Sequence, residues 1–177
     1  MDELFPWSAF GTNKYRLTGI YSIMPASCLN LSRSRKECYQ VLLVDDHPLI
    51  RNHIKTLLER VEGMEFIGEA GDGREAYQLC QIYRPDLVLM DVEMPHVNGL
   101  QATSQILGEF PGIKILLFSL YSSSEYIQEA FNRGAHAYLL KDCLAEDITA
   151  AVAAVLNGGT FISPGLMQSD LPNLFNK

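Results

Sequence analysis

Three carboxylates, a hydroxyl and an ammonium each stand at the end of a short apolar run. Val41-Leu42-Leu43-Val44 leads into Asp45-Asp46, Leu87-Val88-Leu89-Met90 into Asp91, Ile113–Phe118 into Ser119, and Ala137-Tyr138-Leu139-Leu140 into Lys141. Gathered in one place, these groups suit phosphoryl chemistry. Clustered carboxylates repel one another unless a cation neutralises them, and an all-oxygen donor set suits Mg²⁺, which keeps several waters and accepts phosphate oxygens. Asp91, ending the middle run, is then a candidate carboxylate nucleophile. Lys141 and Ser119 are candidates to bind the oxygens of the transferring group. Taken singly, each residue reads more simply as a turn, a cap or a surface charge; the coincidence of four run ends in this order favours a site.

A short continuous apolar run between helical patterns reads as a parallel strand buried on both faces. Between the runs, Ile50, Ile54, Leu57, Leu58 and Val61 follow helical spacing behind Pro48, a residue suited to a first helical turn. Ala76, Leu79, Cys80 and Tyr83 form a second such face, Leu100, Thr103 and Leu107 a third, and Ile127, Ala130 and Phe131 a fourth. Leu144, Ile148, Ala151, Val152 and Val155 form the fifth, closed by Asn157-Gly158-Gly159. Glu65–Ala70 alternates like a less buried strand, and Ser122 with Glu125 predicts a capping box for the fourth helix. Strand then helix, five times over, predicts an α/β doubly wound sandwich with a five-stranded parallel sheet. In such a sheet, ligands bind in the crevice outside the carboxyl ends of the strands, where the acids, Ser119 and Lys141 would meet.

The 177 residues allow one ordinary domain with appendages. Residues 1–39 show no sustained period and read as a poorly ordered N-terminal extension; residues 40–158 form the predicted domain, and 159–177 read as a linker or tail. Residues 40–156 carry 17 Asp/Glu against 8 Lys/Arg. So acidic a body argues against direct nucleic-acid binding. No stretch is apolar enough to span a bilayer, and the Met-Asp-Glu start lacks the basic opening of a secretory signal. Cys28, Cys38, Cys80 and Cys143 form no close pair. A reduced cytoplasmic protein is expected. The histidines His47, His53, His96 and His136 lack metal-ligand spacing, although His47 lies beside the acids.

Val44-Asp45-Asp46-His47-Pro48, Met90-Asp91-Val92-Glu93-Met94-Pro95, Asn98-Gly99 and Gly134-Ala135-His136-Ala137-Tyr138-Leu139-Leu140-Lys141-Asp142 resemble the receiver domain of two-component response regulators, with its flavodoxin-like (CheY-like) fold. The NarL/LuxR-type branch is the most similar, and Gly158-Gly159-Thr160-Phe161-Ile162-Ser163-Pro164 shares its pattern. The resemblance covers about two-thirds of the chain. It implies a Mg²⁺-dependent phosphorelay in which Asp91 accepts a phosphoryl group from a histidine kinase or phosphotransfer protein. Metal would be held by Asp46, Asp91 and the main-chain carbonyl of Glu93, with Asp45 acting through water. Lys141 matches the phosphate-binding lysine, and Ser119 with Tyr138 the hydroxyl and aromatic switch pair. A homodimer through the switching face, made by the fourth helix, fifth strand and fifth helix, follows by analogy. No enzymatic activity beyond slow self-dephosphorylation is expected.

Besides Asp142, which follows Lys141 where proline is common in receivers, two departures bear on this resemblance. Leu120 and Tyr121 follow Ser119 where many receivers carry smaller residues, and slower self-dephosphorylation is expected of them. The 21 residues after the fifth helix are also too few for the helix-turn-helix usual in this branch, which leaves a single-domain regulator, a fragment or a truncated product. The alternatives are a pseudo-receiver or truncated DNA-binding regulator acting as a protein-interaction module, and a haloacid-dehalogenase-type phosphatase. The last wants Asp-x-Asp after its first strand, a pattern that Asp45-Asp46-His47 fails.

Overall fold

The computed structural model describes residues 38–59, 61, 63–142 and 145–166. The N-terminal extension up to residue 37, Cys28, Cys143, Leu144 and the tail from residue 167 lie outside the described residues. The apolar runs become strands β1 (Tyr39–Val44), β3 (Leu87–Asp91), β4 (Lys114–Ser119) and β5 (Ala137–Leu140), with β2 (Met64–Ala70) beside β1. Helices α1 (Pro48–Leu58), α2 (Gly73–Tyr83), α3 (Gly99–Glu109), α4 (Ser124–Asn132) and α5 (Ala145–Leu156) alternate with them.

The sheet has six strands where five were predicted, in the order β2-β1-β3-β4-β5-β6. All pairings are parallel. The added strand β6 (Phe161–Ile162) is two residues long and pairs Ala137 with Phe161 and Tyr138 with Ile162. Ser163 fastens it: its N–H donates to the Tyr138 carbonyl at 3.0 Å, and its Oγ accepts the Leu140 N–H at 3.2 Å. A two-residue strand has no period to betray it, so its sequence reads as linker.

Alternation along the strands divides the core into two layers. Leu42, Val44, Val88, Met90, Ile115 and Leu117 pack with α2, α3 and α4, whereas Val41, Leu43, Leu87, Leu89, Leu116 and Phe118 pack with α1 and α5. Helices therefore cover both faces, the reason the buried stretches of these strands are continuous apolar runs. The helix starts are set locally. Pro48 opens α1, Asp72 accepts the Glu75 N–H at the start of α2, and Asn98 forms a capping box with Gln101 at the start of α3. The capping box expected from Ser122 is absent; Ser123 is the N-cap of α4 and its side chain makes no capping bond.

Candidate functional site

With all strands parallel, their carboxyl ends share one sheet edge, and β1, β3 and β4 are neighbours there. Asp45 follows β1, Asp91 ends β3, Ser119 ends β4 and Lys141 follows β5. Register couples these ends: the Lys141 N–H donates to the Ser119 carbonyl at 2.8 Å, and the Val92 N–H to the Phe118 carbonyl at 2.9 Å.

The Lys141 ammonium bridges two buried carboxylates. Nζ lies 2.8 Å from Asp45 Oδ2 and 2.6 Å from Asp91 Oδ2. Side-chain exposure is 14% for Lys141, 3% for Asp45 and 4% for Asp91. The second oxygen of each acid meets backbone: Asp45 Oδ1 accepts the His47 N–H at 2.8 Å, and Asp91 Oδ1 accepts the Glu93 N–H at 3.1 Å. Burial pushes the Asp91 carboxyl above the ordinary carboxylate range despite the lowering influence of Lys141. Burial alone would lower Lys141, but its bonds to Asp45 and Asp91 more than offset this, and its pKa rises.

A raised Asp91 pKa means that the folded protein takes up this proton more readily than the unfolded chain does. Its ionised form therefore works against folding, progressively more as pH climbs from the ordinary carboxylate range through the raised value. An Asp91→Asn variant is accordingly expected to be more stable than the native chain at pH 7 in chelator. The gap should close as pH falls towards 4. Urea denaturation at the two pH values measures it; a gap that widens at low pH reverses the sign.

Asp46 is more exposed than Asp45 and Asp91 and faces outward, with its Oδ1 2.7 Å from His47 Nδ1. A cleft of 580 Å³ opens beside it, lined among others by His47, Glu93, Met94, Tyr121 and Tyr126. Asp45, Asp46 and Asp91 bring three carboxylates against the one Lys141 ammonium. This oxygen-rich, net negative group, with Asp46 at the cleft, fits a divalent cation.

The Ser119–Tyr138 pair is held through one intervening residue. Ser119 Oγ accepts the Tyr121 N–H at 2.9 Å, and the wholly buried Tyr138 donates its hydroxyl to the Tyr121 carbonyl at 3.0 Å. Burial pushes the Tyr138 hydroxyl up to about 12, so it stays a proton donor at neutral pH. The Tyr121 hydroxyl bonds Glu93, and its ring stacks on Tyr126 at 4.5 Å between centroids. Nothing in the sequence marks this side-chain bridge between the loops after β3 and β4. His136 of the quoted motif does not reach the site: it precedes β5 and lies 3.1 Å from Lys114 at the start of β4, on the opposite sheet edge.

A doubly wound parallel sandwich with two buried acids on one lysine at its carboxyl edge defines a receiver-type domain. The chain belongs to the response regulator receiver domain family, which matches residues 41–153. It is 36% identical over 125 residues to the transcriptional regulatory protein DegU of Brevibacillus brevis, covering 71% of this chain and 53% of that protein. The oxygen regulatory protein NreC of Staphylococcus carnosus is 37% identical over 131 residues, covering 73% and 60%. Among solved structures, a LuxR-family two-component response regulator from Aurantimonas sp. SI85-9A1 superposes with a TM-score of 0.72 at 34% identity, covering 74% of this chain and 94% of that one. The relatives are thus of the NarL/LuxR type, and the chain spans between half and three-fifths of the length of these two curated relatives. Among the described residues, no helix is long and apolar enough to cross a membrane.

Proposed function

We propose that this receiver accepts a phosphoryl group on Asp91 in a Mg²⁺-dependent phosphorelay and signals by a conformational switch. The observation that carries the reading is the Lys141 ammonium held between buried Asp45 and Asp91, with Asp46 beside them at an open cleft. Asp91 attacks phosphorus, the bond from phosphorus to the donor nitrogen breaks, and an acyl phosphate forms while the imidazole of the donor histidine leaves. Asp46, Asp91 and the Glu93 carbonyl would hold Mg²⁺, with Asp45 acting through water; the ion supplies neutralising charge on the phosphoryl oxygens. Lys141 binds one phosphoryl oxygen by exchanging its bond to Asp91, and the Ser119 hydroxyl turns to bond another.

Phosphorylation adds roughly −1.5 to −2 charge beside Ser119. Because Ser119 Oγ and the Tyr138 hydroxyl meet at the two backbone groups of Tyr121, movement of Ser119 shifts the hold on Tyr138. That biases the face made by α4, β5 and α5, through which a homodimer would form. The donor would be a histidine kinase or phosphotransfer protein, and the protein would act in the cytoplasm without binding nucleic acid through this domain. It would be no enzyme beyond slow self-dephosphorylation.

Intact-protein mass after incubation with acetyl phosphate and Mg²⁺ tests the reading. A phosphoryl-sized gain is expected for the native chain and none for Asp91→Ala or in chelator. A gain that survives Asp91→Ala sinks the assignment, and no gain by the folded native chain, from acetyl phosphate or a kinase, favours a pseudo-receiver.

A further inference from the structure

Arg51 has no part in the chemistry above, yet it grips the backbone from which the acids hang. It is the fourth residue of α1, and a long helical side chain leans back towards the helix N-terminus, here onto the turn that carries Asp45 and Asp46. Nη1 donates to the Asp45 main-chain carbonyl at 2.6 Å, and Nε to Glu69 Oε2, near the end of β2, at 2.7 Å. The Arg51 side chain is 16% exposed. The planar fork of a guanidinium suits two fixed acceptors at once, so α1, the exit of β1 and the end of β2 are tied at one point. Asp45 is thereby held at every polar group. Its N–H donates to the Ala70 carbonyl at 3.1 Å, its carboxylate takes Lys141 and the His47 N–H, and its carbonyl takes Arg51. That carbonyl shares one planar peptide unit with the N and Cα of Asp46. Fixing it fixes the direction in which Asp46 leaves the strand, towards the cleft it lines.

We propose that Arg51 is a positioning residue for the acid pocket: by holding the Asp45 carbonyl, it aims the Asp46 carboxylate at the place where a divalent cation binds. The inference rests on the reading of the pocket as a Mg²⁺ site. Mg²⁺ demands near-ideal octahedral geometry, so an acid on a loosened turn serves it poorly. The charge of Arg51 and its grip act in opposite directions. As a charge, a guanidinium beside the acids repels a cation, and its removal should tighten binding. As a clamp, its removal should weaken binding. The sign of the change therefore tells the two apart, and a purely structural role would lower stability without moving the affinity.

Thermal melts of the full chain across a MgCl₂ series at constant ionic strength test this. They give stability directly and Mg²⁺ affinity from the rise of the midpoint with the ion. Arg51→Gln should weaken Mg²⁺ binding on the order of 10-fold, the cost typical of removing a group that orients a metal ligand. Arg51→Lys, which keeps the charge but serves one acceptor at a time, should fall between it and the native chain. Unchanged or tighter Mg²⁺ binding by Arg51→Gln overturns the proposal, whatever its melting point. Should that variant fail to fold, Arg51→Lys decides: weakened affinity supports the proposal and native affinity overturns it. Asp46→Asn should suppress the Mg²⁺ response further than either. If it leaves the response intact, the metal-site reading itself fails, a result distinct from the others.

Discussion

Replacing Lys141 with methionine is expected to lower the unfolding free energy by about 3 kcal/mol at pH 7 in chelator, the scale for removing one partner of a buried ion pair. The substitution keeps the aliphatic stem that packs at the strand ends and removes only the charge. Asp45 and Asp91, 2% and 3% exposed, then face each other without a counter-ion. Their desolvation is no longer offset, and the two negative charges repel. Two treatments should restore much of the loss. Lowering the pH protonates Asp91, whose pKa is already raised, and added Mg²⁺ replaces the missing positive charge. Urea denaturation in chelator, in Mg²⁺ and at pH 5 separates these contributions. A variant as stable as the native chain in chelator would mean that the acids are not held as an ion pair.

Gly99→Ala should be at least as damaging. A Cβ on Gly99 would stand 2.0 Å from the Asp91 carbonyl oxygen and 3.0 Å from Val92 Cα. Both obstacles are backbone of β3 and its exit, so no side chain can swing aside. Gly99 is also tied from its own N–H to the Val92 carbonyl at 3.0 Å, and it begins α3 directly after the Asn98 cap. Relief requires α3 to back away from the strand that carries Asp91. We expect a loss of about 3 kcal/mol, the upper part of the range for overpacking, and a large fall in phosphoryl acceptance, since the Glu93 N–H that orients Asp91 moves with that loop. Gly108→Ala is the control. It lies in the same helix with nothing within 4 Å of its added Cβ, and alanine there should stabilise by about 0.5–1 kcal/mol. Thermal melts of the pair, with the mass assay on each, give the contrast.

Strands and candidate site residues were legible together because the buried stretch of each inner strand is a continuous apolar run that leads into a polar residue. Val88 and Met90 pack on one layer, Leu87 and Leu89 on the other, so the run of four needs no alternation and Asp91 marks where it stops. The same pattern located Asp45, Ser119 and Lys141, which the register of the sheet brings to one edge. What the sequence hid depends on conformation rather than residue type. Ser122 with Glu125 satisfies the capping-box spacing, but the N-cap of α4 is Ser123, whose side chain makes no capping bond. Asn98 and Gln101 satisfy it equally and do form one; Asn98 stands at the N-cap of its helix, whereas Ser122 lies one residue before the N-cap of α4. His47 follows Asp46 directly, and neighbours along a chain usually point apart; the turn into α1 folds the ring back onto the acids. The Tyr121–Glu93 contact joins residues 28 apart through side-chain tips, which no local spacing encodes. β6 is too short for any periodic signal, and its pairing partner lies more than twenty residues upstream.

That short strand also decides which part of the sheet meets solvent. Without it, β5 would be an edge strand, with the Tyr138 carbonyl and the Leu140 N–H open to any passing chain. An apolar edge of this kind is a template for self-association. Phe161–Ser163 occupy it, and Pro164, which has no N–H to offer a further strand, follows at once. A chain ending at Gly159 would retain every residue of the acid pocket and yet leave this edge unguarded. Its first symptom would be concentration-dependent clumping rather than failed chemistry.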